Sequence, residues 1–196
     1  MGIKPAGATS TDLGKVSVAA QGLLAESFPA SFVSSQLVPT TQTIFATLLS
    51  RALAAGVAVT SVVFDVTTAA AGTTPTNMYV AILDATPATL GNVLAVSADL
   101  KANAGWTAAG KQAFPCAYTP STDIAVMAAI LQNGAFGTTP LQLGRLPAMQ
   151  ANANIPLSGK APASAQSAAG QTSFPSVGSP VTFQAATVQA FWAAAA

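Results

Sequence analysis

Histidine is absent from this chain, and cysteine occurs once, at Cys116. The first absence removes Ser–His–Asp and Cys–His catalysis, because both need an imidazole to carry the proton. The second rules out an intrachain disulfide and leaves too few ligands for a cysteine-based zinc site. Charge is scarce as well. Only 7% of the residues are Asp, Glu, Lys or Arg, against about 25% in an ordinary soluble domain. Seven basic residues face six acidic ones, a net charge of +1. The basic residues Lys4, Lys15, Arg51, Lys101, Lys111, Arg145 and Lys160 form no run, so nothing marks the chain for nucleic acid or an anionic membrane. Long apolar runs are missing too. In Ile44–Phe64, the best candidate, Arg51, Gly56, Thr60 and Ser61 interrupt the pattern, whereas a spanning helix wants about 20 mostly apolar residues. The opening MGIKPAGATSTDLGK has no apolar stretch of the kind a secretory signal needs. No phosphate loop or cofactor motif occurs, and no cofactor is expected.

What is present is alanine, valine and threonine, in a chain 51% hydrophobic and 196 residues long. That length suffices for one domain with its own core. A near-neutral, charge-poor surface keeps monomers apart poorly and suits a subunit of a large assembly. Residues 1–40 differ in texture, with Pro5, Pro29 and Pro39 among many Ser and Thr. Within them Val16–Phe28 predicts a short helix weakened by Gly22. We read 1–40 as an extended N-terminal arm that docks on a neighbouring subunit through Leu23, Leu24, Phe28 and Phe32, chosen for their apolarity.

Residues 41–196 read as one β domain. Val57–Thr67 is dominated by Val, Thr and Phe, which favour strands. Strand alternation would put Ala58, Thr60, Val62, Phe64 and Val66 on one face, and Val57, Val59, Ser61, Val63 and Asp65 on the other. Asn77–Leu83 returns as a strand with Met78, Val80 and Ile82 on one face. Further strands are expected at Asn92–Ser97, Lys111–Tyr118, Asp123–Leu131, Ser179–Gln184 and Val188–Ala194, with a weak one at Pro140–Leu143. Pro115 suggests an edge strand or a bulge, and Asn133–Gly134 closes the central Asp123–Leu131 strand. Ile44–Leu53 is ambiguous between helix and strand by periodicity. Gly144–Gly170 reads mostly as loop, with a short strand or arm near Ile155. Short strands with regular turn signals make an all-β sandwich or jelly roll.

The chemistry-bearing residues are few. The acids are Asp12, Glu26, Asp65, Asp84, Asp99 and Asp123. Asp65 and Asp84 fall near strand ends, but a glycosidase pair is not indicated, and no dense acidic loop offers the six to eight oxygens of a calcium site. Each acid is better read as capping a turn. Trp106 stands in the loop AGWTAAG. With Asn103 beside it, it is the one candidate for stacking on a sugar or anchoring an interface; the competing reading folds it over the open end of the sandwich. Cys116 reads as a small buried hydrophobe.

Four stretches carry a resemblance: VTSVVFDVTTAAAGTTPTNMYVAILDA, VLAVSADLKANAGWTAAGKQAF, IAVMAAILQNG and GQTSFPSVGSPVTFQAATVQAFWAAA. Together they resemble a jelly-roll domain of actinobacteriophage virion proteins, found in minor tail proteins and other appendages. The matching features are the loop Thr68–Gly72, the segment Ser97–Trp106, the strand Ile124–Gly134 and the aromatic pair Phe191–Trp192. The likeness covers residues 40–196 and implies a strand for the ambiguous Ile44–Ala55. It further implies a non-enzymatic structural protein of a tailed-phage virion, made in the host cytoplasm and placed on the capsid surface as decoration or on the tail. Expected partners are other capsid or tail subunits and copies of itself, as in a trimer; no nucleic acid or membrane is expected. The alternative is a carbohydrate-binding module that attaches to a host surface glycan.

Overall fold

The β-branched runs pair in two antiparallel sheets. A computed structural model describes residues 22–86, 88–146, 162–184 and 190–196. In chain order its strands are β1 (Ala25–Glu26), β2 (Ser35–Leu37), β3 (Ile44–Leu48), β4 (Val59–Thr68), β5 (Asn77–Asp84), β6 (Val93–Val96), β7 (Gly110–Tyr118), β8 (Val126–Asn133), β9 (Gln142–Arg145), β10 (Ser164–Gln166) and β11 (Ala193–Ala195). Short 3-10 turns occupy Ala30–Phe32 and Ala104–Thr107. Among the described residues no helix is long and apolar enough to cross a membrane. Sheet 1 has the order β1-β11-β4-β9-β2, and β7 pairs with β4. Sheet 2 runs β10-β3-β8-β5-β6. The chain is thus all-β, with two sheets stacked as in a β-sandwich.

The main core lies between the sheets. Val62, Phe64 and Val66 of β4, Phe114 of β7 and Leu143 of β9 meet Phe45 of β3, Met78, Val80 and Ile82 of β5, and Ala128 and Ile130 of β8. Phe64 is its centre, with ring centroids 5.8 Å from both Phe114 and Phe191. Burying one such side chain is worth about 1.5–3 kcal/mol, so this cluster is what holds sheet on sheet.

The expected face of β5 is confirmed, and that of β4 is confirmed from Val62 onward. Val59, however, shares the main core with Val62 instead of pointing the opposite way. The amides of Thr60 and Ser61 both donate to the Ala196 carbonyl, at 2.7 and 3.1 Å. Two successive residues facing one partner make a bulge, which resets the alternation. On β7, Pro115 lies where the β4 register shifts, and β7 pairs only with β4 among the described strands.

Sheet 2 is covered on its second face as well. Every residue of β8 is buried. Met127, Ala129 and Leu131 pack with Ile44, Ala46, Ala81 and Leu83 beneath Phe174, Val181 and the half-buried Phe183. One rung of this face reads Ala165–Ala46–Ala129–Ala81 across four strands, and small side chains let the covering segment lie close. The expected strand Ser179–Gln184 is therefore not a sheet member. It makes isolated bridges, Asn92 to Pro180 and Ser167 to Phe183, and so closes the β6 and β10 edges.

The region expected as an arm also differs. Residues 1–21, including the first part of the predicted helix Val16–Phe28, lie outside the described residues, as do Ile155 and Val188. From Gly22 onward there is no helix: Ala25 pairs with Ala195 and Ser35 with Arg145, so β1 and β2 belong to sheet 1. A boundary at residue 40 does not separate this segment from the domain. Leu23, Leu24, Ala25 and Leu37 pack on the chain's own sheets, which is why strands win over the weak local helix propensity there.

Candidate functional site

Three of the scarce charges, Glu26, Asp65 and Lys111, come together on the outer face of sheet 1. Val63 on β4 points outward there and packs with Leu23, Trp192 and Ala194, beside the half-buried Phe28 and Val33. Trp192 is fully buried, and its indole N–H reaches a Glu26 carboxylate oxygen at 3.3 Å. The Lys111 ammonium sits 4.8 Å from the Trp192 ring centroid, within cation–π range. Lys111 is also the cross-strand partner of Asp65. Burial pushes the Asp65 carboxyl above its ordinary value, and Lys111 pulls it part of the way back. Gly144 makes room for this carboxylate: a Cβ there would fall 2.6 Å from Asp65 Oδ2 and 2.8 Å from Val33 Cγ1. Beside it runs an open groove of about 520 Å³, lined among the described residues by Val33, Ser34, Ser35, Gln36 and Thr67.

The four residues chosen for docking divide. Leu23 is buried in the outer cluster of sheet 1, Phe28 packs half-buried on that cluster, and Leu24 packs half-buried on the main core. These three are not free to enter a neighbour. Phe32 is 59% exposed. It stands just before the groove segment, and Val38, 48% exposed, stands just after β2. On the side away from β9, β2 pairs with no described strand.

Trp106 offers no face to a sugar. It is fully buried, its ring stacks on Phe114 with centroids 3.6 Å apart, and its indole N–H donates to Leu100 O at 2.8 Å. Asn103 caps the turn that delivers it, accepting from the Gly105 amide at 2.8 Å. Gly105 is needed there because a Cβ would meet the Phe114 ring at 2.9 Å. Trp106 belongs to the main core, and the exposed-platform reading is corrected.

The other acids close turns. Asp84 accepts from the Thr86 amide and hydroxyl and from the Thr89 hydroxyl. Asp99 accepts from the amides of Met78 and Lys101 and from the Asn77 side chain. Asp65 and Asp84 belong to different sheets. Among the described residues no group of three or more metal-ligating side chains converges. Cys116 is buried, and burial pushes its thiol up to about 11.

The groove was not legible in the sequence. Its wall, VSSQ, lies in the segment expected to be an arm, and neutral hydroxyls carry no motif. The only signal was the apolar bracket of Val33, Leu37 and Val38 before Pro39, which suits an extended strand. No family model matches the chain, and no curated protein matches it.

Proposed function

We propose that the chain is a non-enzymatic building block of a tailed-phage particle, a jelly-roll subunit on the capsid surface or the tail. The observation that carries the reading is how this charge-poor chain uses its polar groups. Its buried acids close turns or meet a tryptophan, while Phe32 and Val38 remain exposed beside the side of β2 that pairs with no described strand. An unpaired edge flanked by apolar side chains is a ready pairing surface. Two antiparallel sheets fit the expected jelly roll, and the family resemblance supplies the particle. In this reading contacts between subunits use Phe32 and Val38 in place of Leu23, Leu24 and Phe28, which pack on the chain's own sheets.

The experiment is immunogold labelling of particles purified from the source culture with antibody to this chain. Label on the head means decoration, and label on the tail means a tail or appendage subunit. Chain found only in the soluble fraction refutes the proposal. A Phe32→Asp/Val38→Asp double variant should keep its melting temperature, because both side chains are exposed, yet fail to incorporate. Normal incorporation would refute the assigned contact.

A further inference from the structure

We propose that Asn133–Gly134 is a covalent modification site, at which the asparagine is converted to aspartate and isoaspartate once the corner that encloses it opens. Asn133 is the only asparagine in the chain that a glycine follows. The reaction needs that neighbour. The Gly134 main-chain nitrogen gives up its proton and bonds to Asn133 Cγ. The Cγ–Nδ2 bond breaks, ammonia leaves with a proton from water, and a five-membered succinimide remains. Water then adds to one of its two carbonyls. Addition at Cγ yields aspartate, and addition at the main-chain carbon yields isoaspartate, with the former side chain now in the backbone. The sum is asparagine plus water giving acid plus ammonia. Any other following residue would set a Cβ beside the attacking nitrogen, and glycine has none.

The folded corner blocks each step. Asn133 is the last residue of β8, held in register opposite Asn77, and its carbonyl accepts from the Thr76 amide at 2.7 Å. The Gly134 N–H donates to Thr41 Oγ1 at 2.7 Å, so the proton that must leave is engaged. Asn133 Nδ2 donates to Thr172 O, and the residue is only 5% exposed, which keeps out the water that the leaving group needs. These restraints lie at the surface. Thr41 and Thr172 are both exposed, and Thr172 belongs to a stretch without strand structure. Asn133 Oδ1 has no hydrogen-bond partner, so the amide is held from its nitrogen end alone. Local opening of such a segment costs less than global unfolding, and release of Thr41 and Thr172 frees both reacting atoms. The product does not fit back. A carboxylate at position 133 sets an acceptor oxygen where Nδ2 donated to Thr172 O, and it buries a charge. Isoaspartate lengthens the main chain by a carbon at the end of the β5–β8 ladder. Opening thereby becomes irreversible, as it does whenever an unfolded form is chemically changed.

The test follows the full chain in mildly alkaline buffer, native and in urea. Peptide mapping by mass spectrometry counts aspartate and isoaspartate at position 133 over time. Conversion should be slower by about tenfold or more in the native chain, because only the opened fraction reacts. Thr41→Val removes the acceptor for the Gly134 N–H, at an exposed position where the fold tolerates the change. It should raise the native rate severalfold and leave the rate in urea unchanged. Asn133→Asp should lower the melting temperature; failure to fold is that result in the extreme, and the rate comparison does not depend on it. Equal rates in the two conditions, no conversion in urea, a native rate that Thr41→Val leaves unchanged, or an Asn133→Asp chain as stable as the original each overturns the proposal. The readout uses the isolated chain, so it stands or falls separately from labelling on particles.

Discussion

Replacing Trp106 with Ala tests whether the interior closes over that ring as described. The side chain is fully buried, stacks on Phe114 at 3.6 Å and lies 6.3 Å from Phe64. Truncating a core Phe or Trp to Ala costs about 3–5 kcal/mol, from lost transfer energy and the cavity left behind. Aromatic pairing adds about 0.5–1.5 kcal/mol beyond burial, so the upper part of that range, about 4–5 kcal/mol, is expected here. For a domain of this size 1 kcal/mol moves the melting temperature by about 2–4 °C, giving a fall on the order of 10–15 °C. Trp106→Phe keeps a ring against Phe114 and loses the bond to Leu100 O. That carbonyl still accepts from the Asn103 amide at 2.8 Å, so it is not left bare, and the cost should be nearer 1–2 kcal/mol. Urea unfolding followed by circular dichroism, with slopes compared to check two-state behaviour, separates the two variants. A loss under about 1 kcal/mol for Trp106→Ala would refute the core placement and restore an exposed tryptophan.

Four further outcomes follow from the same geometry. With its thiol pushed up to about 11, Cys116 should be about one part in a thousand thiolate at pH 8, so a disulfide reagent should react slowly with the native chain and fast in urea; fast native reaction would contradict its burial. The folded state holds that proton longer than the unfolded chain, so stability should fall as pH rises from 9 through 11, by up to about 3 kcal/mol, and Cys116→Ala should flatten that limb. Ala129→Leu should cost about 1–3 kcal/mol by overpacking, because Ala129 is fully buried in the alanine rung under Phe174; a neutral result would mean that the covering segment does not lie there. At Asp99, burial raises the carboxyl but is outweighed by the Met78 amide, the Asn77 side chain and Lys101. Its carbon-13 titration should therefore show a midpoint below 3.8, with the stabilisation present above that pH and lost as pH falls through the midpoint; a midpoint at or above 3.8 would contradict these bonds.

Much of the fold was readable because strand periodicity and turn chemistry agreed. NMYVAIL alternates, and Met78, Val80 and Ile82 do face the main core. Asn133–Gly134 ends β8 with Gly134 at φ +80°, a conformation that glycine adopts without penalty. The failures have physical causes. The Thr60–Ser61 bulge depends on a carbonyl at Ala196, far along the chain, so no local pattern announces it. β1, β2 and β10 are two or three residues long, too short for a period to register, and they exist because sheet edges needed partners. SPVTFQ has strand composition, but Pro180 and the available edges leave it as a cover. The Glu26–Trp192 contact joins opposite ends of the described chain, and the groove sets residues 33–36 beside Thr67 of β4.

The pairing of β1 with β11 has a consequence for how the molecule is made. Ser27 bonds to Phe191 across 164 residues, and Ala25 has no sheet partner other than Ala195 among the described strands. On a ribosome adding about 5–20 residues per second, the earliest strand waits on the order of ten seconds or more for its partner. During that interval the β4 edge that β11 will cover stands open, and so do the β6 and β10 edges that await residues 178–184. The nascent chain is therefore open to its own copies until residues 178–196 have been made. Slower translation lengthens that window, and a chaperone that holds the unfinished sheets is of most use within it.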